Sequence, residues 1–374
     1  MSDLFKRAAA IAVAMTATQA YAQSSGNGSS VTLFGLLDGG VSYVSNEGGH
    51  QNIKFDNGVL VPSLWGLLGN EDLGGGLKAM FKLVSQFNLG TGALASTNTI
   101  FGREAWVGLE SQQFGSLSFG NQYDFMFDSI TGSHNSPAVA AGGLYAFAAG
   151  PFSKLALPGL PQGQLCWDRT AGGFELTNTV KYVTPSVGGF KFGALYGFGG
   201  VAGAFGADSS MSFGANYDQG PFGIGLAYVS YKSSSQENFP VRNWGVGAHY
   251  DFEKLTLSAD ITGVRNTFNG GAIVQGSVGA SYYMAPDWVL GGEYTYMKGN
   301  AYLDNNHAHQ ISTTLSHLLS KRTTVYVQAI YQRTNSGAPG SSNGGALING
   351  VVDTSSQSTS PSQFLGRIGV STMF

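Results

Sequence analysis

Serine, histidine and aspartate could together build a nucleophilic hydrolase, but their spacing in this chain of 374 residues arms none of them. No strand-to-helix nucleophile elbow marks a serine, and no Gly-x-x-x-x-Gly-Lys string offers a phosphate cradle. His307 and His309 stand two apart and would share one face of a strand, yet a metal needs more converging ligands than these. His249 and His317 lie beside short turns and read as interface residues. Cys166 is the single cysteine and reads as a small buried side chain. No cofactor and no metal are therefore expected. An ester hydrolase set in a barrel is the enzyme alternative, and it lacks a marked nucleophile. Isolated charges such as Asp124, Asp128, Glu175 and Lys181 stand among apolar and aromatic neighbours.

Such residues need elements to hold them, and the composition restricts which. Charged residues make up 11 % of the chain, less than half of ordinary usage, while glycine (56) and aromatic residues (12 %) are abundant. The formal net charge is −3 with no basic run, which argues against nucleic acid as a partner. The aromatic content argues against a disordered chain. No stretch of about 18 apolar residues offers a membrane-spanning helix. A mostly β protein remains. Residues 1–22 read as a secretory signal: Lys6 and Arg7, then the apolar run Ala8 to Ala17, then Ala20-Tyr21-Ala22 with cleavage before Gln23.

The rest of the chain alternates. Val31, Leu33, Leu37, Val41 and Tyr43 share one face of a strand; Thr32, Asp38 and Ser42 share the other. Phe174, Leu176, Val180 and Tyr182 oppose Glu175, Thr177, Thr179 and Lys181. Phe190, Phe192, Ala194, Tyr196 and Phe198 oppose Lys191 and Gly193. Phe364, Ile368, Val370, Thr372 and Phe374 oppose Gln363, Arg367, Ser371 and Met373. Segments of about ten residues with this period suit a transmembrane β-barrel, which alone pairs every backbone group in lipid without helices. Aromatics recur near strand ends (Tyr43, Tyr182, Phe190, Tyr228, Tyr250, Trp288). Short turns at 71–76, 112–116, 185–189, 218–221, 251–254, 285–287 and 319–322 alternate with longer connections near 44–58, 88–99, 124–172, 200–208, 233–240, 266–271, 299–306 and 334–362. Fifteen connections imply sixteen antiparallel strands, wide enough for an aqueous lumen. Residues 23–374 thus read as one all-β domain.

The stretch Ser63-Leu64-Trp65-Gly66-Leu67-Leu68-Gly69-Asn70-Glu71-Asp72-Leu73-Gly74-Gly75-Gly76-Leu77-Lys78 resembles a strand–turn signature of the Gram-negative trimeric general porins, in particular the β-proteobacterial type. Val31 to Gly35, Phe101-Gly102-Arg103 through Gly108-Leu109, Gly120 to Asp124, Lys181-Tyr182 through Pro185-Ser186, Leu319 to Thr323 and the terminal Phe374 fit the same family in the expected order. The resemblance implies a passive diffusion channel in the outer membrane, assembled as a homotrimer among outer-membrane lipid and lipopolysaccharide. It implies that the third long loop, residues 124–172, enters the barrel and narrows it. It also implies that Phe374 belongs to the signal read by the barrel-assembly machinery.

Family members set wall arginines opposite loop acids; here those positions differ. Leu64 and Leu68 fall where Arg or Lys is expected, provided Trp65 and Leu67 face lipid. Asn121 stands in place of an arginine, although simple alternation from Leu117 and Phe119 sends it outward unless the strand bulges. Glu175 stands in place of a basic residue. Between Ser129 and Trp167 the only formal charge is Lys154, and Ala138, Val139, Leu144, Tyr145, Phe147, Phe152, Leu155, Leu157, Leu160 and Leu165 supply an apolar surface. Two readings follow. Either the loop lines an apolar constriction that passes neutral or aromatic small solutes with weak charge preference, or its apolar residues pack on the wall and other residues line the passage. Candidate constriction residues are Leu64, Leu68, Arg103, Asn121, Glu175 and Lys181 from the wall, with Asp124, Asp128 and Tyr145 from the loop. The competing function is a surface-displayed adhesin or binding barrel with a plugged lumen.

Overall fold

The structure, a computed structural model, describes residues 28–96, 98–159, 165–172, 174–335, 345–351 and 357–374. The expected signal segment 1–22 and Leu160 lie outside them. Seventeen strands follow in order: β1 (Ser30–Glu47), β2 (His50–Asn57), β3 (Leu64–Gly74), β4 (Leu77–Gln86), β5 (Glu104–Ser111), β6 (Gly115–Gln122), β7 (Leu176–Val183), β8 (Phe190–Gly197), β9 (Ser210–Gln219), β10 (Phe222–Tyr231), β11 (Val241–Asp251), β12 (Leu255–Asn266), β13 (Ala272–Ala285), β14 (Trp288–Gly299), β15 (His307–Leu318), β16 (Thr323–Thr334) and β17 (Ser362–Met373). From β3 to β17 each strand pairs antiparallel with the next, and β17 returns to β1 from Leu36↔Met373 to Val44↔Leu365. The sheet closes on itself through this β1–β17 pairing.

The other edge of β1 carries two partners. Its first half pairs with β3 and its second half with β2. Strands β2 and β3 are therefore two halves of one stave, interrupted at residues 58–63, and the barrel has sixteen staves. The sequence-based expectation of a long connection at 44–58 is corrected here. Gly48 (φ 62°) and Gly49 (φ 100°) supply a tight two-residue turn, so the backbone stays in the sheet on both sides of it. The interruption folds inward instead, with Val59, Leu60 and Val61 buried and the Val59 N–H donating to Asp38 Oδ1 at 2.9 Å.

Alternation sorts the wall as expected. Val31, Leu33, Val41, Phe190, Phe192, Val278 and Ile368 are exposed on the outer surface, while Asp38, Ser42, Thr262, Gln310 and Gln363 are buried on the inner one. One strand departs from simple alternation. Asn178 takes a positive φ of 53°, and the β6–β7 register shifts between Gly120 and Gln122. That bulge flips the pattern, so buried Leu176 joins Thr179 on the inner face and no longer matches outward-facing Tyr182.

The inside is packed by loops rather than by opposing sheets. The connection between β6 and β7 enters the lumen, and its short helix α1 (Ala138–Ala141) lies against β13, β14 and β15. The turn Phe127–Thr131 lies against β9, β10 and β11. Glycines clear the wall for this approach: a Cβ at Gly225 would strike the Ser129 carbonyl, and one at Gly291 the Ala140 carbonyl. The final long connection also turns inward. Ala346, Leu347, Ile348 and Val351 are fully buried, and the last two pack with Val44, Tyr145, Ile330 and Leu365.

Ile368, 68 % exposed on the outer face, tests the orientation of the wall. Ile368→Arg should destabilise the folded barrel in lipid vesicles by about 2–4 kcal/mol, read from urea titration of folding, if it meets the hydrocarbon midplane. Thr324→Lys on the inner face should cost far less.

Candidate pore constriction

The long loop is held where it enters and where it leaves. Lys181 on β7 donates to the Tyr123 carbonyl at 2.9 Å and pairs with Asp128. Arg169 pairs with Asp124 at 2.5 Å and also donates to the Phe174 carbonyl, so the two ends of the loop are clamped to each other. Arg103, just before β5, donates to Tyr123 Oη at 2.6 Å and to Gln86. Glu175 sits beside these cations with its Oε1 buried and without a hydrogen-bond partner. Burial pushes its carboxyl up to about 7, against the pull of Arg103.

Between its ends the loop is tied to the wall by inward-facing polar side chains that donate to its carbonyls. Asn243 donates to Trp167 (2.8 Å), Asn266 to Leu155 (3.0 Å), Gln310 to Ala146 (3.0 Å) and Thr314 to Ala141 (3.0 Å). Thr262 and Gln275 both donate to Asp168 Oδ2 at 3.0 Å. The apolar loop residues fill the spaces between these ties. Phe152, Leu155, Leu157 and Trp167 pack with Val241, Val264, Ile273 and Met297 of the wall. Of the two readings of the loop's apolar surface, the structure shows packing.

The loop's middle is tied to the β9–β16 side, and β3 to β7 form the wall on the other side. Register aligns one level of that wall: Thr32, Leu68, Lys82, Trp106, Gly120 and Thr179 are successive partners across neighbouring strands. Leu68 and Trp106 are half-buried and flank Lys82, which pairs with Glu104 at 2.5 Å. Next to this row a cavity of about 270 Å³ is lined by Glu104, Trp106, Gln122, Tyr123, Asp128 and Lys181.

The sequence-derived candidates thus fall into groups. Asp128 and Lys181 share that cavity. Leu68 faces the lumen on the adjoining row. Arg103, Asp124 and Glu175 belong to the clamp at the loop's ends. Leu64 also points inward but is covered by Leu36, Val61 and Val84. Tyr145 is fully buried, its hydroxyl donating to Asp56 at 2.6 Å and bonded to Ser42 at 2.8 Å. Asn121 lies on the outward-alternating side, as simple alternation requires, and donates to the Gly102 carbonyl at 2.8 Å. Lys82, Glu104 and Trp106 escaped the sequence reading, because only strand register brings Lys82 and Trp106 level with Leu68 and sets Glu104 one inward position away, level with Gly66. A second ion cluster escaped it too: Arg367 on β17 pairs with Asp38 at 2.9 Å, and Tyr326 donates to the same carboxylate at 2.6 Å. His249 faces the lumen and bonds Asn135 at 2.8 Å. His317 stacks on Trp288. His307 and His309 face outward beside Tyr294 and Tyr296, and no group of three metal-ligating side chains occurs among the described residues.

A closed barrel with an apolar outer surface, a polar inner wall and a loop folded across its lumen defines a transmembrane channel protein. Residues 8–337 match the family model for Gram-negative porins, and the chain belongs to that family. It is 31 % identical over 259 residues to an outer membrane porin protein of Bordetella pertussis, a match spanning 61 % of this chain and 62 % of that protein. It is 30 % identical over 326 residues to outer membrane porin protein 32 of Delftia acidovorans, spanning 85 % and 86 %. Among solved structures, an anion-selective porin from Comamonas acidovorans superposes with a TM-score of 0.73 at 24 % identity, covering 92 % of this chain and 100 % of that one. The trimer form of OmpT from Vibrio cholerae superposes with a TM-score of 0.63 at 15 % identity, covering 92 % and 99 %. The chain is an outer-membrane porin, of a family of passive channels rather than enzymes.

The clamp gives a pH dependence of definite sign. A neutral Glu175 is favoured in the fold, so its contribution is complete below the ordinary carboxyl value of 4.5 and is lost as pH rises through about 7. Thermal unfolding of the barrel in detergent should show stability falling across that window, and Glu175→Gln should flatten the fall. Arg169→Met leaves the buried Asp124 carboxylate unpaired and should destabilise the loop by about 3–5 kcal/mol, read as a lowered Tm and noisier single-channel current.

Proposed function

We infer that the protein is a diffusion channel for small hydrophilic or weakly polar solutes. The inferred constriction lies between the loop at 124–172 and the β3–β7 wall, has weak charge selectivity and favours neutral or aromatic solutes. The row Leu68–Lys82–Trp106 carries this reading. One lysine stands between an aliphatic and an aromatic side chain, and its charge is matched by Glu104. Lys181 with Asp128, Arg169 with Asp124, Lys54 with Glu47 and Arg367 with Asp38 are matched in the same way. Paired charges present little net field to a passing ion. The apolar contribution to solute passage then comes from wall side chains rather than from the loop. A solute that buries apolar surface on Leu68 and Trp106 regains part of its dehydration cost.

The chain would act as a homotrimer, as neighbouring porins of known structure do in part, among outer-membrane lipid and lipopolysaccharide. Export would follow cleavage near Ala22-Gln23. Phe374 would complete the assembly signal. Its backbone exchanges two hydrogen bonds with Gly35, at 3.0 and 3.1 Å, next to the β1–β17 seam, and its ring lies over that glycine.

Planar-bilayer recording tests the reading. The wild-type channel should give stepwise conductance with a reversal potential near zero in a salt gradient. Leu68→Arg should shift it towards anion selectivity, and Lys82→Gln towards cations. Trp106→Ala should raise ionic conductance while slowing uptake of neutral aromatic probes into liposomes relative to neutral sugars. Strong anion selectivity of the wild type would refute weak charge preference. Absence of conductance in folded protein would favour the plugged, displayed barrel.

A further inference from the structure

The lumen holds a second cavity, apart from the Leu68 row. About 420 Å³ in volume, it lies under the loop at the short-turn end of β10 to β15. The loop roofs it closely: a Cβ at Gly279 would strike the Pro137 side chain, as one at Gly291 would strike the Ala140 carbonyl. The two ends of the cavity differ. At the β11 end stand His249 and Asp251. Asn135 donates through Nδ2 to the Ser129 carbonyl at 2.8 Å, which leaves its Oδ1 facing His249 Nδ1, also at 2.8 Å. In the neutral ring Nδ1 therefore carries the hydrogen, and Nε2 is an acceptor. Asp251 Oδ1 accepts the Thr256 hydroxyl at 2.6 Å. Its Oδ2 lies 3.9 Å from His249 Nε2, too far for a hydrogen bond. Among the described residues no hydrogen bond reaches either of these two atoms. Charge at this end is acidic. Asp218 lies with the His249 ring over Gly223, and Asp251 and Glu253 line the cavity against one lysine, Lys254. Burial pushes the His134 imidazole down, toward its neutral form. At the other end Pro137 and Val139 of the loop supply apolar lining with Tyr283 and Val289 of the wall. Tyr283 lies two strands from Asp251 and one inward position further along, roughly 12 Å away in a sheet of ordinary spacing.

We propose that this cavity binds a small primary amine that carries an aromatic ring. The ammonium sits between His249 Nε2 and Asp251 Oδ2, and the ring lies at the end lined by Pro137, Val139, Tyr283 and Val289. The inference rests on the channel reading above, which leaves this end of the lumen open to water and solutes. An ammonium offers three donors and a positive charge, and it reaches both acceptors at ordinary bond lengths of about 2.9 Å. A hydroxyl offers one donor and leaves the carboxylate charge unmatched. A carboxylate solute offers no donor and meets like charge. A metal ion needs more ligands than this pair, and no group of three ligating side chains occurs among the described residues. Apolar surface buried at the far end adds a contribution that a bare short-chain amine lacks.

Saturation-transfer NMR titration of the full barrel in detergent tests this. The probes are phenethylamine, phenylethyl alcohol, phenylacetate and propylamine. The wild type should bind phenethylamine about tenfold more tightly than phenylethyl alcohol, as one charge-assisted contact would give. Phenylacetate and propylamine should also bind more weakly than phenethylamine. Asp251→Asn, which keeps an acceptor for Thr256, should abolish the preference for amine over alcohol. Tyr283→Ser should weaken phenethylamine toward propylamine and leave propylamine itself unchanged. Single-channel conductance close to that of the wild type shows that each variant is folded. Equal binding of phenethylamine and phenylethyl alcohol by the wild type overturns the proposal. So does an undiminished preference in a conducting Asp251→Asn variant, or phenethylamine binding unaltered in a conducting Tyr283→Ser variant. A folded wild type that binds the amine but never conducts overturns the channel reading instead.

Discussion

In hydrocarbon every backbone N–H and C=O must find its partner within the protein, and a β-sheet meets that condition only by closing. The closure here depends on β1. Its one edge accepts β17 along nine residue pairs, Leu36↔Met373 to Val44↔Leu365. Its other edge accepts the divided stave of β2 and β3. Everything inside follows from that seam. Asp38 sits just within it, receives the Val59 N–H of the stave's inward detour, and holds Arg367 of β17 together with the Tyr326 hydroxyl of β16. A buried carboxylate with that many donors is stable only while all of them stay in register, so the polar cluster makes correct closure specific as well as possible.

Closing sixteen staves leaves an interior too wide for wall side chains to fill, and the chain fills it with its own connections. The long loop has backbone groups that would be unsatisfied against an apolar wall. The wall answers with amides and hydroxyls at inward positions, and with glycine where the backbones come closest. The final connection adds to the same filling. Asn349 reaches the Leu144 carbonyl at 2.9 Å and the Cys166 sulfur at 3.0 Å, and Gln332 donates to Leu347 at 2.9 Å. Two loops thus brace one another within the lumen.

Much of this was legible in the sequence because alternation is a local property. Which face of Val31 to Tyr43 or of Phe190 to Phe198 meets lipid needs no knowledge of neighbours, and the count of sixteen staves survives even though the first long connection proved to hold a hairpin and a strand. What failed to show was anything fixed by register or by a single backbone angle. The positive φ of Asn178 reverses the pattern of β7 without any change in residue polarity. Lys82 and Trp106 look unremarkable in their own strands and become neighbours of Leu68 only through pairing. The apolar loop residues were ambiguous for a physical reason: a side chain that lines a passage and one that packs against a wall have the same composition, and only the partner across the gap distinguishes them.

That distinction decides what the loop is for in the fold. Had Phe152, Leu155 and Leu157 lined the passage, the loop would be both brace and filter, and any change to the filter would loosen the brace. Their burial against β11 to β14 separates the two tasks. The brace is made of loop carbonyls, wall amides and the paired charges at the loop's ends. Wall residues such as Leu68 and Trp106 stand on strands apart from these ties. Charge follows the same division. The cations near the passage are committed to acids that hold structure in place, Lys181 to Asp128 and Arg169 to Asp124, so removing one alters the brace before it alters the field.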